Sequence, residues 1–160
     1  EALFMRRCIF VLIAVIMLSV AINAEKKVFV KRISCYDNEI RLEIAPLIVD
    51  WLFKMDVSIT TKSDEADYLV QVKASSVTFT RSFNWYFLLF PAWPFVPFTT
   101  PEASVILDLS IELPDGEIYY SDQAAGTYSV YWFGDLMSSF KMKKGALDAA
   151  FKAVTTPVTL

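Results

Sequence analysis

Val105-Ile-Leu-Asp-Leu-Ser-Ile-Glu-Leu113, running through Pro114-Asp115-Gly116-Glu117 into Ile118-Tyr119-Tyr120, is the stretch that decides the fold of this chain. Val105, Leu107, Leu109, Ile111 and Leu113 fall on one face of a strand and Asp108, Ser110 and Glu112 on the other, the period of two that a half-buried strand requires. Pro-Asp-Gly is turn chemistry: proline presets φ and glycine accepts the positive φ that closes a hairpin onto Ile118 to Tyr120. Such strict alternation belongs to an antiparallel sheet with one face on a core and the other facing water or a partner.

Upstream, Tyr68, Val70, Val72 and Ala74 share one face, whereas Val77 and Phe79 have the opposite parity. A one-residue slip inverts every side chain, so the sequence predicts a β-bulge at Ser75-Ser76. Val57, Ile59 and Thr61 alternate as an earlier strand, followed by a turn over Lys62 to Glu65, and Val28-Phe29-Val30 with Ile33 reads as the first. Between them Ile40, Ile44, Ile48, Trp51, Leu52 and Met55 recur at helical spacing, predicting a helix over 38–55 capped by Asp37 or Asn38, with Pro46 as a kink or as the start of a second half.

Downstream, Gly126 to Phe133 reads as a further strand. Leu136, Phe140, Leu147, Phe151 and Val154 then keep a helical period from a cap at Asp135, across Gly145 as a weak point, to a stop at Pro157. Strand, helix, a run of strands and helix predict an α+β two-layer sandwich, a mainly antiparallel sheet with two helices packed on one face.

Composition bounds the chemistry. Of 160 residues, 55 % are hydrophobic and 21 % charged; there are two cysteines, four glycines and no histidine. Without imidazole there is no Ser-His-Asp or Cys-His nucleophile system and no histidine metal ligand. Two cysteines cannot form a four-thiolate zinc site or a disulfide framework. The isolated glycines make no phosphate-cradling loop. No cofactor and no metal site is expected.

Residues 1–24 read as a signal peptide with upstream residues: Met5 is followed by the basic pair Arg6-Arg7, an apolar run to Ile22, and Ala24 ahead of Glu25-Lys26-Lys27. The apolar run of about 15 residues falls short of the ~20 that a helix needs to cross a bilayer; retention as an anchor is the alternative to cleavage. A single α+β domain then occupies 25–160. Neither Cys8 nor Cys35 has the small, apolar approach that N-terminal lipid attachment needs. Once the leader is cleaved Cys35 stands alone, as a small buried residue at a strand end or as half of an intermolecular disulfide. The excess of acids over bases argues against nucleic acid as a partner. Lys141, Lys143, Lys144 and Lys152 gather near the C-terminus, either as a solvated helix face or as a basic helix complementary to the acidic sheet of another subunit.

One segment is unusual. Residues 83–98 read Phe-Asn-Trp-Tyr-Phe-Leu-Leu-Phe-Pro-Ala-Trp-Pro-Phe-Val-Pro-Phe, with no charge between Arg81 and Glu102. Pro91, Pro94 and Pro97 recur every third residue, which suits an extended backbone and forbids a continuous helix. So large an apolar surface calls for a cover: a subunit or envelope-protein partner, a membrane surface at headgroup level, or the domain itself with the segment folded back as a lid. Trp85, Tyr86, Phe87, Phe90, Trp93, Phe95 and Phe98 are the candidate contact residues.

Acids are the only general acid/base material. Asp64, Glu65 and Asp67 sit in one turn and Asp115 and Glu117 flank another, where carboxylates serve solubility and local hydrogen bonding. No catalytic residue is assigned.

The layout resembles a group of small bacterial envelope proteins. The residues that carry the likeness are the first strand and long helix, Ala66-Asp67-Tyr68-Leu69-Val70 opening a strand, Val105 to Leu109 leading through Asp115-Gly116-Glu117 to a strand ending at Gly126, and Ala146-Leu147-Asp148-Ala149-Ala150 in the last helix. The group includes the curli-secretion lipoprotein, the penicillin-binding-protein activator lipoprotein and the ring-forming polysaccharide-export lipoprotein. The resemblance implies a non-enzymatic assembly or secretion accessory, in the periplasm or at the periplasmic face of the outer membrane, working as a homo-oligomer or with an envelope-protein partner. The absent lipid-bearing cysteine removes the implication of a lipid anchor. The alternative is a small-molecule or lipid-binding module in which residues 83–98 line the pocket.

Overall fold

The computed structural model describes residues 26–89, 98–130 and 136–160. In chain order these form β1 (Lys27–Ser34), α1 (Asn38–Lys54), β2 (Ser58–Ile59), a 3-10 turn (Ser63–Glu65), β3 (Tyr68–Phe83), the single turn α2 (Tyr86–Leu89), β4 (Thr99–Glu112), β5 (Ile118–Ser129) and α3 (Ser139–Thr155). The five strands make one sheet in the order β2-β1-β3-β4-β5. β1 is parallel to both β2 and β3, whereas β3, β4 and β5 form an antiparallel meander. The expected α+β sandwich, mainly antiparallel with the two long helices on one face, is the observed architecture.

α1 begins where Asp37 accepts the backbone N–H groups of Glu39 and Ile40, two donors that the helix cannot satisfy internally. It buries Ile40, Ile44, Ile48, Trp51 and Leu52 and runs unbroken through Pro46, which lies on the exposed side. It ends with Val57 donating to the Leu52 carbonyl and Asp56 to that of Phe53, with Asp56 at φ 57°. This is the left-handed stop usually given to glycine, and aspartate is among the few other residues that adopt it readily.

Against α1 and α3 the sheet presents Val28, Val70, Val72, Ala74 and Val77, then Ala103, Val105, Leu107, Leu109 and Ile111. Each fully buried aliphatic among them contributes about 1.5–3 kcal/mol of transfer free energy. α3 adds Met142, Leu147, Phe151 and Val154 to the same core, and Phe151 meets Trp51 edge to face at 6.3 Å between ring centroids. The opposite face of the sheet carries Lys73, Thr78, Ser121, Gln123 and Thr127, all exposed, and an ion pair of 2.6 Å from Lys31 to Glu112 across β3. The bulge predicted at Ser75-Ser76 is present, since the β3–β4 register shifts between Ala74 and Ser76.

Several expectations are corrected. β2 is two residues long rather than spanning 57–61, because after Thr60 donates to Val28 the chain turns away to bring β3 to the other side of β1. β4 starts at Thr99, six residues before Val105, and stops at Glu112, so that Leu113 belongs to the turn: it donates to Glu117 and accepts from Gly116, whose φ is 89°. The segment from Gly126 onward is not a separate strand, but continues Ile118 to Tyr120 as the single strand β5. Its expected last residues, 131–133, lie outside the described residues. α3 is capped by Ser138, whose hydroxyl accepts from Lys141, and Asp135 also lies outside the described residues.

Of the four lysines near the C-terminus Lys141, Lys144 and Lys152 are exposed, as a solvated helix face requires, and two of the four also reach α1. Lys143 pairs with Asp37 at 2.6 Å and Lys144 with Glu43 at 2.5 Å, tying α3 to α1. Gly145 is not a weak point but a contact: a Cβ there would come 2.7 Å from the ring of Tyr128 on β5.

Candidate functional site

The two central strands outrun their neighbours. β1 accompanies β3 only as far as Lys73, whereas β3 and β4 stay paired to Phe83 and Thr99. Where β1 leaves, the Tyr36 hydroxyl takes its place, accepting from the Val77 N–H and donating to the Val77 carbonyl, each at 3.0 Å. This gives the β3 edge a hydrogen-bond partner four residues past its last β1 pair. Past Val77 no side chain of β3 is fully buried. Beyond the buried Ala103 and Pro101 of β4 the hairpin projects past the core as a short ribbon. Arg81 steadies it by donating to the Met137 carbonyl at 3.0 Å and lying 5.6 Å from the ring centroid of Phe79.

At the end of the ribbon Asn84 organises the start of the aromatic segment. Its N–H donates to the Phe98 carbonyl, its own carbonyl accepts from Phe87 at 3.0 Å, and its side-chain oxygen accepts from Tyr86 at 3.2 Å. These bonds draw residues 84 and 98 together and start the single turn α2, the local use of asparagine that competes with a continued strand. Trp85 is 72 % exposed, Tyr86 69 % and Phe98 56 %. Phe87 is half-buried, stacked at 3.9 Å between centroids on Phe98. Of the seven expected contact residues these four share the tip, and Phe90, Trp93 and Phe95 lie outside the described residues. Two others belong to the same surface: Phe83, edge to face with Trp85 at 5.3 Å, and Leu88. The parity that Phe83 shares with Phe79 and Val77 was the signal for the first.

The turn acids are engaged locally. Glu65 pairs with Lys62 at 2.6 Å, Asp67 accepts from the Lys27 N–H at 2.8 Å and Asp115 from that of Glu117 at 3.0 Å. Among the described residues no three acids or thiols are grouped to hold a metal ion, and no helix is long and apolar enough to cross a membrane. Cys35 lies half-buried after the end of β1, and burial pushes its thiol above the usual range.

The class this geometry defines is an open-faced α+β sandwich with two helices on one face and a protruding central hairpin. Solved structures of similar fold include the following three. One is a putative neuraminyllactose-binding hemagglutinin homolog from Helicobacter pylori, at 12 % identity and a TM-score of 0.54 over 86 % of this chain and 84 % of that one. Another is a hypothetical protein from Chlamydia trachomatis, at 9 % identity and 0.52 over 84 % and 95 %. The third is a minor lipoprotein from Acinetobacter baumannii, at 11 % identity and 0.49 over 84 % and 87 %. No protein-family model matches the chain, and no curated protein sequence does. What the chain shares with these structures is the fold.

Proposed function

We propose that this chain is a non-enzymatic exported protein of the bacterial envelope, acting as a structural or interaction component that associates through the aromatic tip of its central hairpin. In this reading residues 1–24 direct export, and the α+β domain works in the periplasm or at the periplasmic face of the outer membrane, as a homo-oligomer or with an envelope partner. The observation that carries the reading is the exposure of Phe83, Trp85, Tyr86, Leu88 and Phe98 together at the end of a ribbon that the core does not need. Tryptophan and tyrosine dominate the energetics of interfaces, and their rings cost little ordering entropy.

The test replaces Trp85, Tyr86 and Phe98 with Ser and compares native mass, with and without detergent, and vesicle flotation. An assembly that falls to monomer, or flotation that is lost, supports the tip as the contact. Unchanged mass and flotation overturn it, and a monomer that carries bound lipid with the native tip and loses it with the Ser variant assigns the lipid-binding alternative.

A further inference from the structure

Where β1 leaves the sheet, the structure holds a concavity of about 470 Å³ between the β1–α1 connection and the bulged part of β3. Its floor follows from features already described. Ser34 still pairs with Lys73, the chain then turns at Cys35 into α1, β3 bulges between Ala74 and Ser76, and Tyr36 is pinned to Val77 beyond the bulge. The walls carry Arg32 from β1, Arg41 from the first turns of α1 and Lys73 from β3, with Ser34, Cys35 and Ser75 between them, and no carboxylate lines the space.

That arrangement is anomalous for this chain, whose formal net charge is −3. The ion pairs among the described residues use Lys31, Lys54, Lys62, Lys143 and Lys144, and none uses Arg32, Arg41 or Lys73. Asp37, the acid adjoining Cys35, is committed to Lys143 and to the cap of α1. The three cations line the concavity from separate elements with no acid among the lining residues, which favours an anion there.

We propose that this concavity is a binding site for a phosphate monoester group carried on a larger molecule. A monoester brings about −1.5 to −2 charges and three acceptor oxygens, closer to the three cations than a single carboxylate would be. Guanidinium groups from two different elements can each present a planar fork to those oxygens, and Lys73 supplies a compact point charge. The Ser34 hydroxyl is a further donor. The volume falls in the range of small-molecule sites and exceeds what inorganic phosphate fills, so the body that carries the phosphate occupies part of it. A soluble sugar phosphate and the headgroup of a phosphorylated lipid share this chemistry.

The experiment titrates the full chain in mild detergent with glucose 6-phosphate, and in parallel measures its binding to phosphatidylcholine vesicles with and without phosphatidic acid. The variants are Arg41→Gln with Lys73→Gln, and Lys62→Gln as a control that keeps the concavity intact. Expected is saturable binding to the sugar phosphate or to the phosphatidic acid vesicles, weakened roughly tenfold or more in the double variant, the equivalent of about 1.4 kcal/mol, and unchanged in the control. Binding to the sugar phosphate assigns a soluble ligand; binding only to phosphatidic acid vesicles assigns the lipid headgroup. Vesicle binding that ignores phosphatidic acid and survives the double variant belongs to the aromatic tip and, with no sugar phosphate bound, overturns the proposal. Absence of any saturable binding, or equal weakening in Lys62→Gln, overturns it as well. The substituted side chains are exposed, and an unchanged circular dichroism melt confirms that the fold is kept.

Discussion

Gly126 on β5 lies directly beneath Ala146 on α3: a Cβ added at Gly126 would stand 2.1 Å from the Ala146 carbonyl oxygen, with the Ala150 nitrogen at 2.3 Å. Both obstacles are helix backbone, so neither can rotate aside. Gly126→Ala must lift the helix off the sheet and is expected to cost about 3 kcal/mol or more, the upper end of overpacking effects. Urea unfolding measures it, and a loss below about 1 kcal/mol, the lower end of those effects, would show that helix and strand are not in contact there.

Gly145→Ala has an unusual expected sign. In an exposed helix interior the change gains about 1 kcal/mol, because glycine is a poor helix former. Here the added methyl meets the ring of Tyr128, which is 42 % exposed and can swing outward only by giving up its packing over the helix. The single variant is expected to gain nothing or to lose stability, while in a Tyr128→Ala background the same change recovers the gain of about 1 kcal/mol. A double-mutant cycle reads the difference, and strict additivity would refute the contact.

Asp37 makes stability depend on pH. Burial by itself raises its carboxyl pKa, but the Lys143 ammonium at 2.6 Å and the N–H groups of Ile40 and Glu39 outweigh that and hold it below the usual 3.8. A lowered folded-state pKa stabilises fully above the unfolded value and is lost as pH falls through the folded value. Asp37→Ala is therefore expected to cost about 1–2 kcal/mol near neutrality, the scale of a lost cap, and much less below the folded pKa. A stability gap that stays constant from neutral to strongly acidic pH would mean that the ionised carboxylate contributes nothing.

What the sequence made legible was local and periodic. The α1 stripe Ile40, Ile44, Ile48 and Leu52, the Asp37 cap, the bulge at Ser75 and the inward row from Val105 to Ile111 all follow from spacing within a few residues. The misses have causes outside that window. Asp56 ends α1 in a conformation that glycine normally signals, and Ser138 offers a cap as good as Asp135 does three residues earlier. Gly126 and Gly145 owe their identities to partners on another element. At the tip, Trp85, Tyr86 and Phe98 stand exposed, while the partial burial of Phe87 depends on the closure made by Asn84, which no periodicity encodes. The cationic concavity was invisible because Lys73 lies far along the chain from Arg32 and Arg41, and only the pairing of β1 with β3 brings it to them.

The ribbon beyond Val77 also bears on how this surface can change. Its last residue pairs, Ser82 with Thr100 and Phe83 with Thr99, have no partner on β5. The tip is thus an appendage whose sequence can drift, lengthen or be exchanged while Val77, Val105 and the two long helices keep the same core. On the proposed function, one scaffold can meet different partners through a rewritten tip on an unaltered body.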